Sequence, residues 1–190
     1  MKAQISTSSL KRLIQATYKI VDRSETRPAY SYIRLEFSKE FSLVTAITLN
    51  GYEMSVEHAT CEVDEDFTAY IKATISPAHK DSNAIIELRE NTCYININGF
   101  IIGYQQPSGE FFDWKTSLDD NTKTPVNFRI GFNGNFLLTA LQAAKASVGN
   151  VFRQPVVLEF RGPLSPLLIK TNKDDVKMVL PVRLKSDDSE

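Results

Sequence analysis

The sequence predicts an α+β fold: antiparallel sheets with two helices on one face, built on an internal strand–helix–strands repeat. Three observations predict it. Only residues 7–21 and 134–146 carry the apolar spacing of a helix. Most of the remaining chain alternates apolar and polar residues, broken by turn residues at hairpin distances. The opening order of strand, helix and strands returns near residue 126.

Lys2 to Ser6 reads as a short strand, followed by a helix from Thr7 to Val21 with Thr7 or Ser8 as its N-cap. Leu10, Leu13, Ile14, Thr17 and Val21 fall on one face of it, while Lys11, Arg12, Gln15 and Lys19 point elsewhere. Asp22 to Pro28 is a polar connection, and Pro28 bars the helix from continuing. Ile33, Leu35 and Phe37 then alternate with polar residues, and a turn at Lys39-Glu40 leads into a strand from Leu43 to Leu49. Asn50-Gly51, the strongest short hairpin signal, joins that strand to Tyr52–Glu62. Phe67 to Ile75 alternates again, Pro77 to Ser82 is a loop, and Ala84–Leu88 pairs with Cys93–Tyr104.

Pro107 to Thr124, with breakers at Pro107-Ser108-Gly109 and Asp119-Asp120-Asn121, reads as a linker. Val126 to Phe132 is the next strand, and Asn133 caps a helix from Gly134 to Ala146. The apolar face of that helix is Phe136, Leu137, Ala140, Leu141 and Ala144. Val156–Phe160, Leu167–Thr171 and Val176–Leu184 close the fold, and Met178, Leu180, Val182 and Leu184 share one face of the last strand. The tail from Lys185 to Glu190 is charged.

Composition narrows the class. With 190 residues, 42% apolar and 24% charged, the chain is long enough to bury a core without staples. Cys61 and Cys93 are too few for a disulfide scaffold and fit a reducing compartment. Lys11 and Arg12 precede any apolar stretch, so the expectation is a cytoplasmic protein with no membrane partner. The net charge of −1 conceals a segregation. Residues 1–21 and 124–153 hold seven basic residues and no acid, leaving 15 basic against 23 acidic elsewhere. Both predicted helices lie in these acid-free stretches, which suits contact with a polyanion.

No residue pattern nominates a reaction. There is no phosphate-cradling glycine loop, zinc motif or nucleophile elbow in the sequence. His58 near Glu53, Glu57 and Cys61, and the run Asp64-Glu65-Asp66, read as strand-edge and turn residues rather than ligands. The expectation is no enzyme, no metal and no cofactor. Phe111, Phe112 and Trp114 read first as an anchor for the linker and second as a platform for stacking bases.

Four stretches resemble the bacterial DNA polymerase III beta subunit, the sliding clamp. They are SSLKRLIQATYKIV at the first helix; LVTAITLNGYEMSVEH (Leu43–His58), similar to the family's strand–turn–strand of the type ATDGHRLAV; and NTCYININGFIIGYQQPSGEFFDW (Asn91–Trp114), similar to a strand pair ending in G-x-FPDY. The fourth is RIGFNGNFLLTALQAAK (Arg129–Lys145) with the ending KMVLPVRL (Lys177–Leu184), similar to the family's closing VMPMRL. The family's basic and histidine positions after its turn are Glu53 and Tyr52 here.

The resemblance implies a shortened clamp-like fold: residues 1–60 as a first half, 61–122 as a strand block like a half without its helix plus linker, and 123–184 as a second half, forming one compact domain ahead of the tail 185–190. It implies a processivity factor that tethers a polymerase, or another protein with a short hydrophobic clamp-binding motif, to duplex DNA without reading sequence. Lys11, Arg12, Lys19 and Lys145 are the implied phosphate contacts. Met178, Leu180, Pro181 and Val182 match one wall of the family's peptide pocket, Met54 the other wall, and Leu118 is a further candidate. Read on periodicity alone, Met178, Leu180 and Val182 are core. A ring closed from so short a chain requires self-association. The alternative is an interaction module of the same fold that binds clamp-binding peptides, or regulates the host clamp, without encircling DNA. Glu53 and the small basic count favour it.

Overall fold

A computed structural model describes residues 1–22, 27–72, 82–123, 125–148, 155–171 and 175–184. The chain divides into two compact units, Met1–Asp113 and Trp114–Glu190.

The first unit opens with β1 (Lys2–Ser6) and α1 (Thr7–Thr17). The cap of α1 is Ser6 rather than Thr7 or Ser8, its Oγ accepting the Ser9 N–H at 3.1 Å. Leu10, Leu13, Ile14 and Thr17 form the buried face, as the spacing predicts. The helix ends at Thr17, four residues short of Val21. The Thr17 carbonyl is taken by the Thr48 hydroxyl at 3.0 Å and by the Ile20 N–H at 3.0 Å, which closes a turn tighter than the α-helix.

Next come β2 (Ile33–Ser38), β3 (Leu43–Leu49), β4 (Met54–Thr60), β5 (Glu62–Val63) and β6 (Phe67–Ile71). The Asn50 side-chain oxygen accepts the Tyr52 and Glu53 N–H groups, both at 2.9 Å, and fixes the loop between β3 and β4. Then follow β7 (Asn83–Arg89), β8 (Thr92–Ile97) and β9 (Phe100–Gln105). The single strand expected over Cys93–Tyr104 is thus two. Asn98 (φ 52°) and Gly99 (φ 87°) turn it back on itself, and two positive φ values in succession suit Asn-Gly. The expected end of β6 near Ile75 and most of the Pro77–Ser82 loop lie outside the described residues.

The strands pair antiparallel in two sheets, β5-β1-β7-β8-β9 and β4-β3-β2-β6. Blocks 1–60 and 61–113 therefore exchange their leading strands: β1 joins β7, and β6 joins β2. Ile5, Leu13, Leu35, Ile71, Ile86 and Ile95, drawn from both sheets and α1, share one core. Among the described residues no helix lies between β6 and β7.

The second unit holds α2 (Trp114–Thr122), α3 (Gly134–Val148) and a sheet of β10 (Val157–Glu159), β11 (Leu167–Lys170) and β12 (Val176–Val179). Among the described residues there are thus three α-helices, one more than the sequence predicts. Helix α2 lies in the stretch read as a linker, its Thr, Ser, Asp and Asn residues being poor helix formers that gave no signal. Asn133 caps α3, its side-chain oxygen accepting the Asn135 N–H at 3.0 Å. Leu137, Ala140, Leu141 and Ala144 pack on Leu167, Ile169 and Val179, whereas Phe136, expected on that face, is exposed.

Two strand expectations fail here. Residues 126–132 form no ladder and touch a strand-like neighbour only at the Gly131–Val182 bridge. A Cβ on Gly131 would lie 2.7 Å from Leu184 Cδ2, the end of an exposed side chain that would have to move aside. The last strand stops at Val179, short of Pro181, which has no N–H to give a ladder. No helix among the described residues is long and apolar enough to cross a membrane.

Candidate functional site

Helix α1 buries one face against β4, β3 and β1 and leaves Lys11, Gln15 and Lys19 exposed beside it. Arg12 is engaged differently. Its Nη1 meets Glu57 Oε2 at 3.0 Å, and its Nη2 donates to the His58 carbonyl, so the guanidinium is held on β4. Of the three basic residues expected to act together here, Lys11 on the helix and Lys19 in the turn after it are in none of the described ion pairs. Lys145 is exposed in the last turn of α3, where a cation suits the helix dipole. It belongs to the second unit.

The six residues expected to form a peptide pocket divide between the units. Met54, half-buried, starts β4 in the first, and Leu118, Met178, Leu180, Pro181 and Val182 lie in the second. Periodicity alone makes Met178, Leu180 and Val182 core, and the structure reverses this. Val179 is the buried residue, at 4% exposure, while Met178 and Leu180 stand 61% and 64% exposed. The reason is α3, which covers the other face of β12. An apolar row, Met178 in β12 with Leu180 and Val182 just beyond it, is thereby left exposed, Val182 standing at the Gly131 bridge.

Beside this row lies a groove of about 510 Å³ between Val126, Phe128, Leu164, Val182, Arg183 and Leu184. Only Val182 is common to the groove and the expected pocket. Its first wall, Val126 and Phe128, lies in the stretch that the sequence predicts as a strand.

Of the aromatic run after β9, Phe111 is packed in the first unit, Phe112 is exposed and Trp114 starts the second unit. Phe111 meets Tyr30 edge-on at 5.3 Å and lies under the Arg34 guanidinium at 4.9 Å, so its ring is occupied. Burial pushes the Cys61 thiol up to about 11 and Cys93 to about 12, far from a nucleophile's range. Among the described residues no group of three or more His, Cys, Asp or Glu is placed to hold a metal ion.

Interleaved antiparallel sheets with exchanged leading strands and amphipathic helices define the class: this is the DNA-clamp fold. Among solved structures, the chain is similar to the DNA polymerase III beta chain of Streptococcus pneumoniae, with a TM-score of 0.74 and 15% identity over 95% of this chain and 49% of that one. It is similar to the beta subunit of Streptococcus pyogenes at a TM-score of 0.72 and 16% identity, over 95% and 50% of the two chains. The DNA polymerase sliding clamp of Bacillus subtilis gives a TM-score of 0.66 and 18% identity, over 97% and 65%. The chain thus spans about half to two thirds of the length of these structures. The sequence matches no protein-family model and no curated protein.

Proposed function

We propose that this chain is a non-enzymatic, clamp-like tether of the cytoplasm that holds a polymerase or another partner protein against duplex DNA. The exposed row of Met178 at the end of β12 with Leu180 and Val182 just beyond it is the observation that carries the reading. An extended segment with two or three apolar side chains suits such a strand-flanked surface. Lys11 on α1 and Lys19 in the turn after it, with Lys145 on α3, supply weak, sequence-independent phosphate contacts. The similar structures include a DNA polymerase sliding clamp, which supports the same reading.

The test is binding of a short hydrophobic clamp-binding peptide, followed by retention of the protein on circular against linear DNA. Leu180→Asp is expected to weaken the peptide tenfold or more, about 1.4 kcal/mol. Unchanged affinity would remove the docking site.

A second reading has its own support. Arg12 is committed to Glu57, which leaves Lys11 on α1 and Lys19 after it for phosphate. That favours an interaction module that competes for clamp-binding peptides without encircling DNA. Peptide binding with no preference for circular DNA would select it.

A further inference from the structure

In the first unit each half gives away its leading strand. β1 precedes α1, yet it pairs with β7, while β6 pairs with β2. The receiving strand is in both cases the first of the three that follow. The second unit contains one such half. Helix α3 packs on β11 and β12 as α1 packs on β3 and β4. After β12 the chain returns to the segment before the helix, the Val182 N–H donating to the Gly131 carbonyl at 2.8 Å. After β4 it does the same, β5 returning to β1 with Val63 opposite Ala3. By this correspondence residues 126–130, Val-Asn-Phe-Arg-Ile, are the leading strand of the half, and β10 is its receiving strand.

Neither has a partner of that kind among the described residues. Val126 is 66% and Phe128 43% exposed, in an alternating segment that forms no ladder. β10 is an edge strand bonded only to β11, and it presents Val157 and Leu158 at 50% and 43% exposure. The core shows the same deficit: among the described residues the buried cluster of the unit holds four residues, Ala144, Leu167, Ile169 and Val179, against twenty-one in the buried cluster of the first unit.

We infer that two copies of this chain pair through the second unit, each laying residues 126–130 antiparallel along β10 of the other. The half carries both a donor strand and a receiving edge, so a two-fold axis satisfies both at once and the assembly closes as a dimer. The one charged residue on each segment, Arg129 and Glu159, is of opposite sign, so the pairing brings no like charges together. The product repeats the architecture of the first unit, with two sheets completed by exchanged strands. The pairing buries Val126, Phe128, Val157 and Leu158, which are otherwise wet. It stands apart from the tether reading and holds whether or not the protein binds DNA.

The test is light scattering of the full chain across a dilution series, together with cross-linking. A dimer mass that falls to the monomer on dilution is expected, and Ile130→Pro, which removes a strand N–H, is expected to abolish it. Because that variant also risks local misfolding, two separately made chains, Phe128→Cys and Leu158→Cys, are mixed and treated with a short bismaleimide. The mixture is expected to give a linked dimer containing one chain of each kind. A chain that stays monomeric at every concentration overturns the inference, even if another protein then fills the face. So does a dimer that survives Ile130→Pro and yields no link between positions 128 and 158.

Discussion

The side-chain amide of Gln106 pairs with the backbone of Tyr70 as a neighbouring strand would: its Oε1 accepts the Tyr70 N–H at 2.7 Å and its Nε2 donates to the Tyr70 carbonyl at 3.1 Å. β6 is the edge of its sheet, and this contact closes the edge where the chain leaves β9. Removing the amide leaves two part-buried backbone groups without it. Gln106→Ala is therefore expected to destabilise the first unit by about 1–3 kcal/mol in urea unfolding. Hydrogen exchange at the Tyr70 amide should accelerate in step, and an unchanged exchange rate would show that water replaces the glutamine.

The arginine on α1 should matter less to DNA than its neighbours. Arg12 and Glu57 are both partly exposed, so a double-mutant cycle is expected to return about 0.2–1 kcal/mol for the pair. Removing one lysine–phosphate interaction flattens the salt dependence of duplex binding by a slope of about 0.9. Lys11→Glu with Lys19→Glu should flatten it by about twice that amount, and Arg12→Ala by much less. Equal effects would mean that Arg12 leaves Glu57 for the phosphate.

Adjacent residues at the end of β12 should answer the same substitution in opposite ways. Leu180 is largely in water, so Leu180→Asp is expected to change stability by less than about 0.5 kcal/mol while weakening the peptide. Val179 is packed against α3, so Val179→Asp buries a carboxylate and should unfold the second unit. Circular dichroism melts of the two variants check the contrast. Loss of structure in Leu180→Asp would place that residue in the core after all.

Local signals carried much of this architecture. The alternation of Ile33, Leu35 and Phe37 placed β2, and the spacing of Leu10, Leu13 and Ile14 placed α1. Asn133 announced the start of α3, and Asn98-Gly99 holds a hairpin signal as strong as Asn50-Gly51 that the surrounding apolar run conceals. What no local pattern holds is pairing across distance. Nothing near Lys2–Ser6 says that this strand joins one more than seventy residues away, because the partner is chosen by the packing of both sheets. The candidate site has the same division. The row Met178, Leu180, Val182 was visible, but which parity of β12 faces water depends on where α3 lies. The ion pair that turns Arg12 toward Glu57 likewise exists only once α1 lies on β4.

The two thiols give a prediction whose sign is fixed by burial. Cys93 sits in the core of the first unit with its thiol pushed up to about 12 from the ordinary 9.0, and Cys61 is raised to about 11, both by loss of water around the thiolate. In the unfolded chain the same groups ionise near their ordinary value. Between those limits the unfolded state has lost protons that the folded state keeps, so rising pH favours unfolding. The stabilising contribution is whole below about pH 9 and is lost as pH climbs toward 11 and 12. Urea midpoints of the first unit should fall through that window, and Cys93→Ala should shallow the fall even though its cavity lowers the starting stability. Below the window both thiols should resist iodoacetamide until the protein is unfolded. Rapid labelling of the native chain near neutral pH would mean that the core opens to solvent around Cys93.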